Sequence, residues 1–462
     1  MAKFTPTLAE IRFGSGLSPT LPSVESTQQM LARLTGPDLN ADSFPIETFT
    51  DFRERMIRKQ DLTKARRKLR GKPEGQELLK QVKLEQQAAR IEWSRWTGRA
   101  LMRRAWGRDG FRERLVGFWA DHFTAQGKRG LLRRATAPYV EDSIRPHITG
   151  TFADLVVAAT TAPLMLHYLD QQLSTGPNSD KAARRGPKAG LNENLAREVL
   201  ELHTLGVDGP YTQGDVRELA ELFTGMIYTP KQGFKFQKDM AEPGAETVLG
   251  VSYGGGKPNI ADIRAALVDL ANHPATARHI AQKLAVHFVS DTPDPALVDA
   301  LAARFQDTGG DLLQVYTALL DHPAAWQPAL QNVKPPFDFL ASAFRALQPP
   351  ADFFDSADEK TMKQVAASQL TRMGQPWERP TGPDGWPEED AAWITPQGLA
   401  ARMHWAMVIP SRMLDPLPDP RDFVAAALGD YAPEPLLFSA RAAENRREGV
   451  GLVLASPAFQ RR

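Results

Sequence analysis

The sequence predicts a mainly α-helical protein, a multi-helix, bundle-like single large domain with one small β-hairpin inserted near residues 231–252. Three observations predict it. Apolar residues recur three and four apart through most of the 462 residues, as in helices with one buried face. Strand-like alternation is confined to a single stretch. No repeat with a period of roughly 20–50 residues is present, which excludes a solenoid or propeller.

The elements follow in order. Residues 1–230 read as an N-terminal helical part. Within it, Trp93, Trp96 and Trp106 are spaced among Arg95, Arg99, Arg103 and Arg104, as in a helix that buries tryptophans while its arginines reach outward. Residues 231–257 hold the hairpin and a Gly-rich loop. Phe234 and Phe236 alternate with Lys235 and Gln237, Pro243-Gly244 supplies a turn, Glu246 to Gly250 forms the return strand, and Gly254-Gly255-Gly256 closes the segment. Residues 258–347 are a central helical part, with Asn259 capping a helix that starts at Ile260 and Asp294-Pro295 opening another. Residues 348–462 combine a Trp/Pro-rich loop region with C-terminal helices.

Hydrophobic residues make up 42% and charged residues 24% of the chain, enough to bury a core. A net charge of +1 with no binding motif gives no support for nucleic acid as a partner. There are no cysteines, which excludes disulfides, thiolate metal sites and a Cys nucleophile. No segment reaches the roughly 20 apolar residues of a membrane span. The opening residues lack the apolar run of a secretory leader, so the expected location is cytoplasmic. Between Arg53 and Lys72 stand ten Lys/Arg against two Asp/Glu. A solvated helical face accounts for that excess, and an anionic partner is the sharper alternative.

The richest polar stretch runs from Leu191 to Thr229. Wound as a helix over 191–204, Leu191, Leu195, Val199 and Leu202 fall within about 80° and form a core stripe. Asn194, Glu198 and Glu201 gather on the opposite side within about 60°, with Arg197 beside them. Asn192 stands just ahead of them. His203 falls near the helix end, where the C-terminal dipole favours its cationic form. Thr212 and Asp215 have capping-box spacing for a second helix. Two carboxylates three residues apart can share acid–base work or hold a divalent cation. Glu198, Glu201 and His203 are the candidate ligands, and a divalent metal is the candidate cofactor. The plainer alternative is a structural network, because Arg197 is four residues from both Glu193 and Glu201.

A second candidate is the Asp121-His122 pair embedded in Phe118, Trp119 and Phe123. A buried imidazole is more often a satisfied core group than a ligand. A third set, His279, Lys283 and His287, reads as a boundary face, since a lysine between two histidines opposes a metal pair.

These residues carry a resemblance. The run from Asn192 to Gly209 resembles the signature block of a bacterial family catalogued as domain of unknown function 1800. Ile11-Arg12-Phe13-Gly14, Phe118-Trp119 with His122-Phe123, Met165 to Asp170, His273-Pro274-Ala275-Thr276, Lys334 to Phe339, Trp377, Trp386, Trp393 and Leu454 to Gln460 agree in order. The resemblance covers nearly the whole chain and implies one family domain over 1–462. It departs where relatives carry His-Asp in the hairpin, since this chain has Ala241-Glu242. No activity is settled for the family. The resemblance implies, as a candidate partner, a protein of a neighbouring family that looks like the phosphatase–sulfatase superfamily.

The expected function is a metal-assisted or general acid–base enzyme, with a hydrolase as the candidate class. Glu198, Glu201, His203 and His122 are its candidate catalytic groups, and Asn192, Asn194, Arg197 and Asp121 its candidate substrate-binding groups. The alternative is a non-enzymatic helical scaffold or accessory protein that docks a protein partner through the 53–72 segment.

Overall fold

The computed structural model describes residues 3–186, 190–350 and 352–462. It is mainly helical with small hairpin insertions, and no helix among the described residues is long and apolar enough to cross a membrane. Local chemistry sets several helix starts as the sequence suggests. Asn259 accepts the amide of Ala261, Asp294 precedes Pro295 in the first turn, and Thr212 and Asp215 cap each other reciprocally.

The organising element is the helix Pro73–Trp106, 34 residues long and so about 51 Å at ~1.5 Å per residue. Its first half pairs with the helix Phe49–Lys68 in an antiparallel hairpin whose far end is exposed and basic. Its second half enters the interior and serves two hydrophobic cores in succession. Ala89 and Trp96 join a core built from N-terminal and central helices, where Phe13, Trp119, Phe152 and Leu267 meet. Leu101, Met102 and Ala105 join a second core with Phe339, Phe344, Trp405 and Leu454.

The β-structure differs from the expected single hairpin. Strand β1, Met226–Thr229, pairs with β2, Gly233–Phe236, with Met226 opposite Phe236. Strand β3, Ala245–Val248, pairs with β4, Val251–Gly254, with Ala245 opposite Gly254. Among the described residues there are thus two hairpins, and Phe234 and Phe236 pair backward rather than with Glu246–Gly250. The reversal lies at Leu249-Gly250, with φ of 49° and 80°, a two-residue turn of the kind that matches strand twist. A leucine at positive φ carries no turn signal, so the sequence reads it as strand.

The polar block also differs. Its helix begins at Asn194 rather than Leu191, because the Asn192 side chain accepts the Asn194 amide at 2.9 Å. Residues Val199–His203 then widen into a π-turn, which changes the phase of every later side chain. Leu200 and His203 therefore enter the core, while Leu202 is only half-buried.

The region expected to be loop between 348 and 396 contains short helices, including Glu359–Met362 and Ser368–Arg372. Residues 373–389 are irregular and lie over the seam between the two cores.

Candidate active site

A cavity of about 240 Å³ lies at that seam. Its floor is one face of the helix Gly110–His122. Glu113, Gly117 and Asp121 follow at four-residue steps and point the same way, with Arg114 beside them. Arg103 and Arg104 come from the last turn of the long helix. Glu141 and Arg145 come from a π-turn, Val140–Ile144, and the residue after it. Asp338 enters from the second core. The irregular segment closes the site with Trp377, Glu378, Trp386 and Glu388.

Most of the charge is neutralised in pairs. Arg103 holds Glu141 with two bonds of 2.7 and 3.1 Å. Arg145 holds Glu113 with bonds of 3.0 and 2.8 Å. Arg114 donates to His287 Nε2 at 2.9 Å, which makes Nδ1 the protonated nitrogen, and Nδ1 donates to Glu388 at 2.7 Å. Asp338 is shared: Arg462 donates to it, and Arg104 and Arg114 each approach it at 3.5 Å.

Neighbours then set each carboxyl's proton affinity. Burial opposes the charge on Glu113, but Arg145, helped by Arg103 and Arg104, holds its pKa at about 2. Burial likewise opposes the charge on Glu388, and His287 with Arg462 and Lys283 brings it down to about 2. At two wall carboxyls burial outweighs the cation acting on each, Lys283 for Asp121 and Arg379 for Glu378. Burial, reinforced by the charge of Glu388, pushes Asp121 up to about 8. Burial pushes Glu378 up to about 8 against the indole of Trp93, which donates at 3.1 Å. Glu378 also has a φ of 57°, a conformation non-glycine residues adopt at a cost and that concentrates at functional sites. Asp121 is fixed by the segment that covers it. Its Oδ1 accepts the Trp386 amide at 2.9 Å, and a Cβ on Gly385 would lie 2.7 Å from its Oδ2.

Behind Asp121 lies a histidine cluster. The rings of His122 and His203 are 6.1 Å apart, and those of His122 and His279 6.2 Å. His122 Nε2 is 3.1 Å from the carbonyl oxygen of His203. His122 Nδ1 and both ring nitrogens of His203 are buried without a hydrogen-bond partner. Burial, with the nearby Lys283 cation, lowers all three, His203 to about 3 and His279 to about 4. His203 is therefore neutral, and the expectation of a dipole-stabilised cation fails because the π-turn carries the ring into the core.

Of the residues expected from sequence, Asp121 alone lines the cavity. His122, its neighbour, points the other way, so the two do not form a bonded dyad. Glu198 is half-buried on the adjacent helix, raised to about 7 by burial, by Glu201 and by Asp384. Arg197 pairs with Glu193 and Glu201, both at 3.2 Å, and with Gln213 at 2.9 Å, but not with Glu198. Asn192 donates its amide to the Leu169 carbonyl at 3.0 Å, and Asn194 is exposed. Glu198, Glu201 and His203 do not converge at ligand spacing. Among the described residues, Glu218, Glu221 and Glu246 are the one group that does. Glu242, just ahead of the second hairpin, accepts the backbone amide of Asn178 at 3.0 Å.

Sequence reading missed Arg104, Glu113, Arg114, Asp338, Glu378 and Glu388. A usable signal was present: Arg112-Glu113-Arg114 lies inside a helix whose other positions are largely apolar or aromatic, and charges so placed must be paired indoors.

Fold and site together define a helical protein with two cores and an ionised, partly enclosed cavity between them. The family described as "Protein of unknown function (DUF1800)" matches residues 11–461, and the chain belongs to that family. Neither a curated protein nor a solved structure matches the chain.

Proposed function

We propose that the protein is an enzyme of general acid–base type, acting hydrolytically on a small molecule held in the cavity. The observation that carries this reading is the pair of carboxyls, Asp121 and Glu378, that open on one cavity, where burial raises both toward neutral pH. A group with a pKa near the working pH can both give and accept a proton. Glu113, Asp338 and Glu388 of the same wall are instead held low by neighbouring cations, so environments have separated the roles. No step in this reading runs through a metal.

A panel of small chromogenic esters, amides, phosphates and glycosides tests it. Turnover of one class is expected, with D121N and E378Q each lowering kcat by about 10²–10⁴ while the fold is retained. Turnover that both variants leave unchanged overturns the assignment.

A second reading has one observation in its favour. Arg197 bridges Glu193, Glu201 and Gln213 across two helices, which is how a structural network would use the family block. On that reading the protein is an accessory scaffold, the exposed basic end of the Phe49–Lys68 helix is its docking surface, and a phosphatase–sulfatase-like protein is the candidate partner. Co-purification that depends on Lys64, Arg66 and Arg67, with no turnover in the panel, would favour it.

A further inference from the structure

We infer that the cavity takes a small organic monocarboxylate, its head group bound by Arg104 and its apolar body lying against Trp377, Trp386 and Phe337. This rests on the reading of the cavity as the substrate site and names the class of molecule that enters it.

Arg104 stands apart from the other guanidiniums of the wall. Arg103 and Arg145 each grip a carboxylate with two bonds, and Arg114 donates to His287. Arg104 makes no side-chain hydrogen bond to any described residue although it is buried; its Nη1 is sealed against Asp338, which leaves the Nε–Nη2 edge as the part able to meet a ligand. Its nearest anion is Asp338, 3.5 Å away and already committed to Arg114 and Arg462. Three guanidiniums thus share one carboxylate, and the Nε–Nη2 edge left unbonded belongs to a cavity-lining side chain. A buried guanidinium needs an anion with paired acceptors, and a carboxylate fits its planar fork.

The surroundings narrow the class further. Gly117 faces Arg104 across the helix floor, where a Cβ would lie 2.7 Å from Nη2, so the absence of a side chain there gives the guanidinium its place. Glu113, Asp338 and Glu388 stand in the same wall and would repel a second negative charge, which disfavours a phosphate dianion. The Arg104 guanidinium lies 5.9 Å from the Phe337 ring, so the head group sits beside an aromatic surface. At about 240 Å³, the space exceeds the roughly 150 Å³ that accommodates benzene. It suits a molecule of about a dozen heavy atoms and excludes a polymer.

Titration calorimetry and ligand-observed NMR on the full chain test this with 3-phenylpropanoate, its primary amide, acetate and inorganic phosphate. The phenylpropanoate should bind at least about tenfold tighter than the other three, as loss of a charge-assisted pair or of the apolar body implies. R104Q should lose about tenfold for the acid and leave the amide unchanged. G117A, which displaces the guanidinium while keeping its charge, should do the same and provides a second variant should R104Q fail to fold. Equal binding of acid and amide overturns the inference, as does tighter binding of phosphate, or no binding of any probe. Selective acid binding with no turnover of any class in the chromogenic panel supports the inference and removes the enzymatic reading, so the two fail separately.

Discussion

Replacing Asp121 by asparagine should make the protein less sensitive to alkaline pH. The wild-type carboxyl is raised from 3.8 to about 8, chiefly by burial and then by the charge of Glu388. A raised carboxyl contributes stability that is complete below its unfolded pKa and is lost as pH climbs to the folded value. The window therefore runs from about 4 to about 8. Roughly four units at ~1.36 kcal/mol each set a ceiling of about 5–6 kcal/mol. Asp121 is half-buried and its carboxyl reaches the cavity, so solvent there reduces the realised effect to about 2–3 kcal/mol. Asparagine keeps the oxygen that accepts the Trp386 amide and has no proton to lose. Urea unfolding of both proteins, measured in steps from pH 5 to 9, reads the difference directly. The advantage of D121N should grow up to pH 8 and then level off, with unchanged m-values. Parallel stability profiles would show that Asp121 ionises normally, and the protonated-wall reasoning would fail with them.

The depressed carboxylates act at the other end of the scale. Glu113 and Glu388, lowered from 4.5 to about 2, should each withdraw up to about 3 kcal/mol as pH falls from 4.5 to 2, seen as a steep acid limb that E113Q shortens. The E141A variant, which takes the anion from Arg103, should cost about 3–5 kcal/mol in urea unfolding, and the R103M/E141A double variant less than the sum of its singles. The G385A variant puts a Cβ 2.7 Å from Asp121 Oδ2 at a φ of +81° and should cost about 2–3 kcal/mol in melting experiments. By contrast R197A should cost under about 1 kcal/mol, because its ion pairs are 26–37% exposed. A larger loss would make the family block structurally central.

Helix periodicity and caps were legible because they are local. The Thr212 and Asn259 caps depend on residues two or three apart, and the apolar stripes on residues three and four apart. The π-turn at Val199–His203 was not legible. Regular winding places Leu202 inside and His203 at the rim, and a single widened turn exchanges them. The β-hairpin insertion was legible but its strand pairing was not, since Leu249 occupies a turn position that leucine rarely takes. The cavity depends on contacts such as Arg104 with Asp338 and Trp93 with Glu378, which are 234 and 285 residues apart, and no spacing rule reaches that far. Asp121 was found only because it stands beside His122 among aromatic residues.

That adjacency separates the two residues rather than joining them. Neighbours on a helix diverge by about 100°, so one end of the Gly110–His122 helix sends Asp121 toward the cavity and His122 toward the neutral imidazoles. What connects the two sides is charge. Lys283 lowers His122, His203 and His279 from one side, and Asp121, Glu388 and Asp384 keep it from losing more of its own proton affinity to burial from the other. Asp384 also acts on Glu198. The segment from Asp384 to Glu388 therefore touches the electrostatics of the family block, of Lys283 and of the cavity wall together. A block that holds no residue of the cavity is still coupled to it, because the segment that covers Asp121 also faces Glu198. The conformation of that cover, pinned where Gly385 and Trp386 meet Asp121, contributes to the proton affinity of both, after burial at each and after Glu201 at Glu198.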